Sequence, residues 1–105
     1  MRSDRARLQD VHAACSAIES HLSRGDIEDD LVFDAIRIRL VEIGEAVKDV
    51  DPEWLALEPD VPWVAITRMR DQLAHRYFDT AHSIVDTTAR HDVPVLKAAV
   101  ARLLG

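Results

Sequence analysis

The feature that most constrains the fold is a broad apolar stripe in the second quarter of the chain. Its members recur at steps of three and four residues: Val32, Phe33, Ile36, Leu40, Ile43, Val47 and Val50. That spacing is typical of a helix, and the stripe is wider than a single packing partner requires. We therefore predict a helix over residues 26–50 that lies either at the centre of a bundle or in a subunit interface.

The remaining segments also have helical patterns, and the period-two alternation of a strand is absent from the sequence. Further helices are predicted over residues 4–23, 62–77, 84–88 and 92–105. Asp79 and Thr80 are expected to break or cap the helix over residues 62–77. We expect an all-α fold, a four- to five-helix bundle that forms one domain over residues 1–105.

Two local features lie between these helices. Residues 53–62 are predicted to form a loop that Trp54 and Leu57 hold against the bundle. His82 and His91 have no neighbour at a metal-binding spacing, and we expect both side chains to be exposed.

Composition excludes several classes of protein. The net charge is −6, which argues against a protein that coats nucleic acid through a broad basic face. Cys15 is the single cysteine, so no disulfide framework or thiolate metal cluster is expected, and a reducing compartment is favoured. No apolar run reaches the length of a membrane span, and the first residues lack the apolar core of a signal peptide. We expect a soluble, cytoplasmic protein with no membrane partner.

The stretch 68–77 is the candidate functional site. It places positive charge in an acidic chain, with a net +2 over residues 63–77 before a histidine is counted. The residues concerned are Arg68, Arg70, Asp71, His75, Arg76 and Tyr77. An ordinary salt-bridged helix surface also carries arginines, so the stretch is a site or such a surface.

The geometry of an ideal helix separates two of these residues. At about 100° per residue, Arg70 and Tyr77 lie about 20° apart, whereas His75 lies about 140° from Arg70. Arg70 and His75 can meet if the long arginine side chain bends round, if the helix is distorted, or if a second copy completes the site.

Gly44 lies in the middle of the second predicted helix, within Ile43-Gly44-Glu45-Ala46. Glycine there costs about 1 kcal/mol relative to alanine, so another requirement must favour it. Close approach of a second helix is preferred over a direct role in a site. Glu45 could face an arginine of the stretch 68–77.

A cation, an imidazole and a phenol close together suit cleavage of RNA without a metal ion or a cofactor. The reaction needs a base for the ribose 2′-OH, an acid for the departing 5′-oxygen, and a cation on the phosphate. Histidine can serve as acid or base, and arginine offers a bidentate fork to phosphate. The stretch supplies one histidine per chain, so a two-fold homodimer would supply both roles.

These residues resemble the signature of the HepT-like branch of the HEPN superfamily, which consists of small helical ribonuclease toxins of prokaryotes. The similarity covers roughly residues 27–104. Its parts are Arg70, four residues, His75, one residue, Tyr77; Ile43-Gly44-Glu45-Ala46; Pro62-Trp63 with Ile66 and Met69-Arg70; and Asp92-Val93-Pro94-Val95-Leu96.

The resemblance implies a role for each residue. Arg70 and His75 would be the catalytic pair, Asp71 the polar residue that follows the arginine, and Arg68 and Arg76 supporting residues. Tyr77 would be the tyrosine to which a nucleotidyltransferase antitoxin attaches AMP. The chain departs from many relatives outside the signature, with Asp86 in place of a tryptophan and Ala81 in place of an aspartate.

Two other interpretations remain open at this point. The chain could be a non-catalytic helical module of the same fold that binds a nucleotide or a nucleotidyltransferase partner, with its arginines holding phosphate. It could also be a dimeric structural bundle with a salt-bridged surface.

Overall fold

The structure is a computed structural model that describes residues 2–74 and 78–105, without the side chains of residues 78–81. Regular structure in these ranges is helical throughout, which confirms the predicted all-α class. Five helices of ten or more residues are accompanied by one short helix and one π-helical turn. Their bounds are α1 Asp4–Arg24, α2 Asp30–Lys48, α3 Pro52–Leu55, α4 Trp63–Ala74, α5 Phe78–Thr87, the π-helical turn Thr88–Asp92, and α6 Val93–Leu104.

Side-chain caps explain where the first three helices begin. The hydroxyl of Ser3 accepts a hydrogen bond from the Ala6 amide at the start of α1. The carboxylates of Asp29 and Asp51 accept bonds of 2.8 and 2.9 Å from amides in the first turns of α2 and α3. Each cap satisfies an amide that has no partner within the helix, so short-range chemistry fixes these starts.

α2 lies at the centre of the bundle. It packs along α1 on one side and α4 on the other, and it also contacts α5. Its stripe is buried in the core at Phe33, Ile36, Leu40, Ile43 and Val47, and Val50 just beyond the helix is buried too. Packing within one chain therefore explains the width of the stripe, and the first of the two predicted placements is correct.

Two local predictions are wrong. Leu57 is 70% exposed, because the turn after α3 directs it to solvent while Trp54 packs against the core. His82 is not isolated: its ring stacks on Phe33 of α2 with the ring centroids 3.8 Å apart, which attaches α5 to the central helix.

The predicted break at Asp79 and Thr80 is wrong, because both residues lie within the helix α5, Phe78–Thr87. The predicted continuation of α4 over residues 75–77 lies outside the described residues.

Among the described helices, none is both long and apolar enough to cross a membrane.

Candidate functional site

The site is built where α2 and α4 approach each other closely. A β-carbon built on Gly44 would lie 2.5 Å from the Arg70 Cβ and 3.2 Å from the Ile66 carbonyl oxygen. The first distance is shorter than van der Waals contact allows, so only glycine fits at this crossing. This geometry confirms that Gly44 allows close packing of the two helices. The α4 residue that packs against it is Arg70.

Arg70 is held by two carboxylates. Its Nε forms an ion pair with the Glu45 carboxylate of α2, and its Nη1 donates a 2.7 Å hydrogen bond to Asp71 Oδ1. The side chain remains 39% exposed. The sequence left the partner of Glu45 open, and the structure identifies it as Arg70.

The two carboxylates also stabilise the protonated form of Arg70. The hydrogen bond to Asp71 raises the pKa of Arg70 above its ordinary value, and the negative charge of Glu45 raises the pKa further. The guanidinium is therefore a permanent cation at the surface. It can bind an anion such as phosphate, but it cannot act as a proton-transfer group.

A second arginine fixes the end of α4. Arg37 of α2 donates a 2.8 Å hydrogen bond from Nη1 to the carbonyl oxygen of Leu73 in the last turn of that helix. α2 thus anchors α4 immediately before residue 75.

The remaining members of the stretch 68–77 are placed as follows. Arg68 is exposed on α4, and Asp71 is exposed beside Arg70. His75, Arg76 and Tyr77 lie outside the described residues. The predicted angular separation of Arg70 and His75 therefore stays a prediction.

Cys15 is an inert core residue. It is fully buried on α1, and burial raises the pKa of its thiol to about 12, with a smaller contribution from the charge of Glu19. A protonated, inaccessible thiol is a poor nucleophile. Within the described ranges, no group of three or more histidine, cysteine, aspartate or glutamate side chains is placed to hold a metal ion.

A separate apolar cleft of about 290 Å³ lies among α2, α4, α5 and α6. Ile66, Met69, Ile84 and Leu96 are among the residues that line it, whereas Arg70 does not. Arg70 and its carboxylate partners Glu45 and Asp71 therefore lie apart from this cleft.

Comparison with known proteins identifies the family. The family model described as "Ribonuclease HepT-like" matches residues 11–103, which include α2, α4 and the whole stretch 68–77. This chain belongs to the HepT-like ribonuclease family. The family indicated by the sequence motifs is thereby confirmed.

Several relatives match this HepT-like chain over nearly its whole length. A protein of Thermococcus cleftensis named as a probable ribonuclease HepT is 34% identical over 97% of this chain and 96% of its own length. A protein of Caldanaerobacter subterraneus subsp. tengcongensis named as a candidate RNase is 32% identical over 99% and 96%. A candidate RNase of Methanocaldococcus jannaschii is 30% identical over 98% and 92%. No solved structure matches the chain.

Sequence reasoning missed Arg37 in this HepT-like site. The signal that could have found it is spacing, because Arg37 lies seven residues before Gly44 and therefore on nearly the same face of α2. The glycine marks the face that contacts α4, and a polar residue two turns earlier on that face can reach the same helix.

Proposed function

We propose that this HepT-like chain is an endoribonuclease that cleaves RNA without a metal ion, using Arg70 and His75. The observation that carries the proposal is Arg70 itself, oriented by two carboxylates yet still partly exposed, in a member of a ribonuclease family. Placed five residues before His75, this cation is available to a phosphate of the RNA backbone.

The proposed reaction is a transesterification. A base removes the proton of the ribose 2′-OH, and the 2′-oxygen attacks the adjacent phosphorus. The bond from phosphorus to the 5′-oxygen breaks, and an acid protonates that oxygen. The products are a 2′,3′-cyclic phosphate and a 5′-hydroxyl. Arg70 stabilises the charge that grows on the phosphate oxygens, and His75 transfers the protons.

The other residues of the stretch support these two. Asp71 helps to orient Arg70, to which it is hydrogen-bonded. Arg68 and Arg76 add positive charge beside the scissile phosphate, which offsets the overall acidity of the chain.

A homodimer is proposed because one stretch supplies one histidine for two proton transfers. Exposed apolar residues on α2 support a partner surface near the site: Leu31 is 81% exposed and Ile38 49% exposed. Leu31, Ile38 and Glu45 follow one another at steps of seven residues, so each lies about 20° from the last on one line of α2. A second copy packed along this line would lie next to the Arg70–Glu45 pair.

We further propose that the chain is the toxin of a cytoplasmic toxin–antitoxin system, silenced by a nucleotidyltransferase antitoxin that attaches AMP to Tyr77. The support is the family membership together with the position of Tyr77, two residues after His75. A phosphodiester at Tyr77 would compete with RNA for nearby cations such as Arg70.

The direct test is incubation of the purified protein with total RNA. The wild type is expected to cut it, and Arg70→Ala and His75→Ala are each expected to lower the rate at least about 100-fold, because each removes stabilisation of the transition state. Arg102→Ala is the matched control. Arg102 lies on α6, away from the stretch 68–77, and it also pairs with a carboxylate, that of Glu58. RNA binding without cleavage would instead support a non-catalytic module.

A further inference from the structure

We propose that Glu45 is a positioning residue, which orients the Arg70 guanidinium for the reacting phosphate. The proposal rests on the proposed ribonuclease function and assigns a role to a residue on a different helix from the stretch 68–77. The observations that carry it are the ion pair between Glu45 and Arg70 Nε and the close packing of Gly44 against the base of the same arginine.

The two contacts act on opposite ends of one side chain. At Gly44 the missing side chain lets the β-carbon of Arg70 lie against the α2 backbone. One residue further along α2, Glu45 binds the guanidinium at Nε. An arginine has several rotatable bonds, and fixing its first carbon and its head group together leaves few conformations accessible.

Glu45 can do what Asp71 cannot. Asp71 is the sequence neighbour of Arg70, so its hydrogen bond to Nη1 joins two residues of the same helix, α4. Glu45 comes from α2, so its ion pair fixes the guanidinium relative to a second helix, and that helix also holds the end of α4 through Arg37. The position of the cation is thereby linked to the position of the chain leading to His75.

The arrangement leaves part of the guanidinium available. Nε and Nη1 have carboxylate partners, while Nη2 has no partner among residues 2–74 and the described side chains of 78–105. A phosphate oxygen can approach Nη2 without displacing Glu45. The carboxylate nevertheless repels the phosphate, so Glu45 orients the cation without increasing the affinity for RNA.

This combination gives a kinetic signature. Glu45→Ala is expected to lower kcat by about 10- to 100-fold, because a displaced cation no longer meets the charge of the transition state. KM is expected to stay the same or to fall, since a repulsive charge has been removed. Glu45→Gln keeps an oxygen that can accept from Nε, and it is expected to recover most of the lost kcat.

Glu42→Ala is the matched control. Glu42 lies on the same helix and pairs with a partly exposed arginine, Arg39, at 3.0 Å. The substitution therefore removes the same charge from α2 without removing a contact of Arg70. Its kcat is expected to equal that of the wild type. Equal kcat in Glu45→Ala and Glu42→Ala would overturn the proposal, and so would a raised KM with an unchanged kcat.

A second measurement separates this inference from the ribonuclease function. In ¹⁵N-labelled protein, the Nε–H resonance of Arg70, assigned by its loss in Arg70→Lys, reports the ion pair directly. Its exchange with water is expected to be slow in the wild type and in Glu42→Ala, and faster in Glu45→Ala. If the wild type cuts no RNA, the proposed function fails, and fast exchange in the wild type would separately show that Glu45 does not hold Arg70.

Discussion

Arg70 is the residue on which the site depends, and its two ion pairs have little value for stability. Pairs between exposed charges typically contribute about 0–1 kcal/mol. The Glu45 and Asp71 side chains that contact Arg70 are 44% and 65% exposed, so the pairs belong to this weak class. Their more important consequence is orientation, because they hold a permanent cation in place before any substrate arrives.

How far the sequence predicts these residues depends on the range of the interaction. Arg70 was found from a local cluster of charged and aromatic residues, which is visible in one dimension. The sequence alone does not identify the partner of Glu45 or the bond from Arg37 to Leu73. Both depend on how α2 and α4 are rotated against each other, and local spacing alone does not fix that rotation.

Modification of Tyr77 is expected to control the activity of the site. Co-expression with a cognate nucleotidyltransferase is expected to add AMP to Tyr77 and to abolish RNA cleavage, because the adduct adds a phosphate to the stretch of sequence that carries the arginines of the site. Tyr77→Phe is expected to remain unmodified and active. Intact-mass spectrometry of the co-expressed chains measures this. A silenced complex in which Tyr77 stays unmodified would show inhibition by binding alone.

At the scale of the elements, α2 organises the site. Its core-facing stripe is buried, and its contacts to α4 include those of three residues near the site: Arg37, Gly44 and Glu45. The sequence predicted the stripe and the start of α1 because periodicity is a short-range property, but it placed the start of the second helix at residue 26, before the observed Asp30. It did not predict α3, although Asp51 caps that helix, or the stack of His82 on Phe33, which depends on the packing of the finished bundle.

Gly44→Ala tests the close crossing of α2 and α4. In an isolated helix alanine would be favoured by about 1 kcal/mol. At this crossing its β-carbon would overlap the Arg70 Cβ, and overpacking of this kind typically costs about 1–3 kcal/mol. We expect a lower free energy of unfolding in urea together with slower RNA cleavage, since Arg70 must move. A variant more stable than the wild type would show that the crossing is not tight.

At the scale of the whole molecule, the single core of the chain accounts for its apolar stripe, so the case for a dimer rests on other features. These are the single histidine of the site and the exposed line of Leu31 and Ile38. The sequence could not distinguish a central helix from an interface helix, because both require an apolar face.

Sedimentation at micromolar concentration tests the assembly. We expect about twice the chain mass for the wild type and a monomer for Ile38→Asp, because a charge would be buried without a partner in the proposed interface. Leu57→Asp is the matched control, as Leu57 is an exposed leucine after α3, and it is expected to leave the dimer intact. A wild-type monomer that still cleaves RNA would contradict the composite site.

The ends of the RNA products show whether Arg70 and His75 carry out a metal-independent transesterification. A defined oligonucleotide is cut in the presence of EDTA, and the fragments are analysed by mass spectrometry. We predict 2′,3′-cyclic phosphate and 5′-hydroxyl ends from the wild type, no products from Arg70→Ala, and no cut where the attacking 2′-OH is replaced by hydrogen. Cleavage that EDTA abolishes, or that persists at the 2′-deoxy position, would contradict the account.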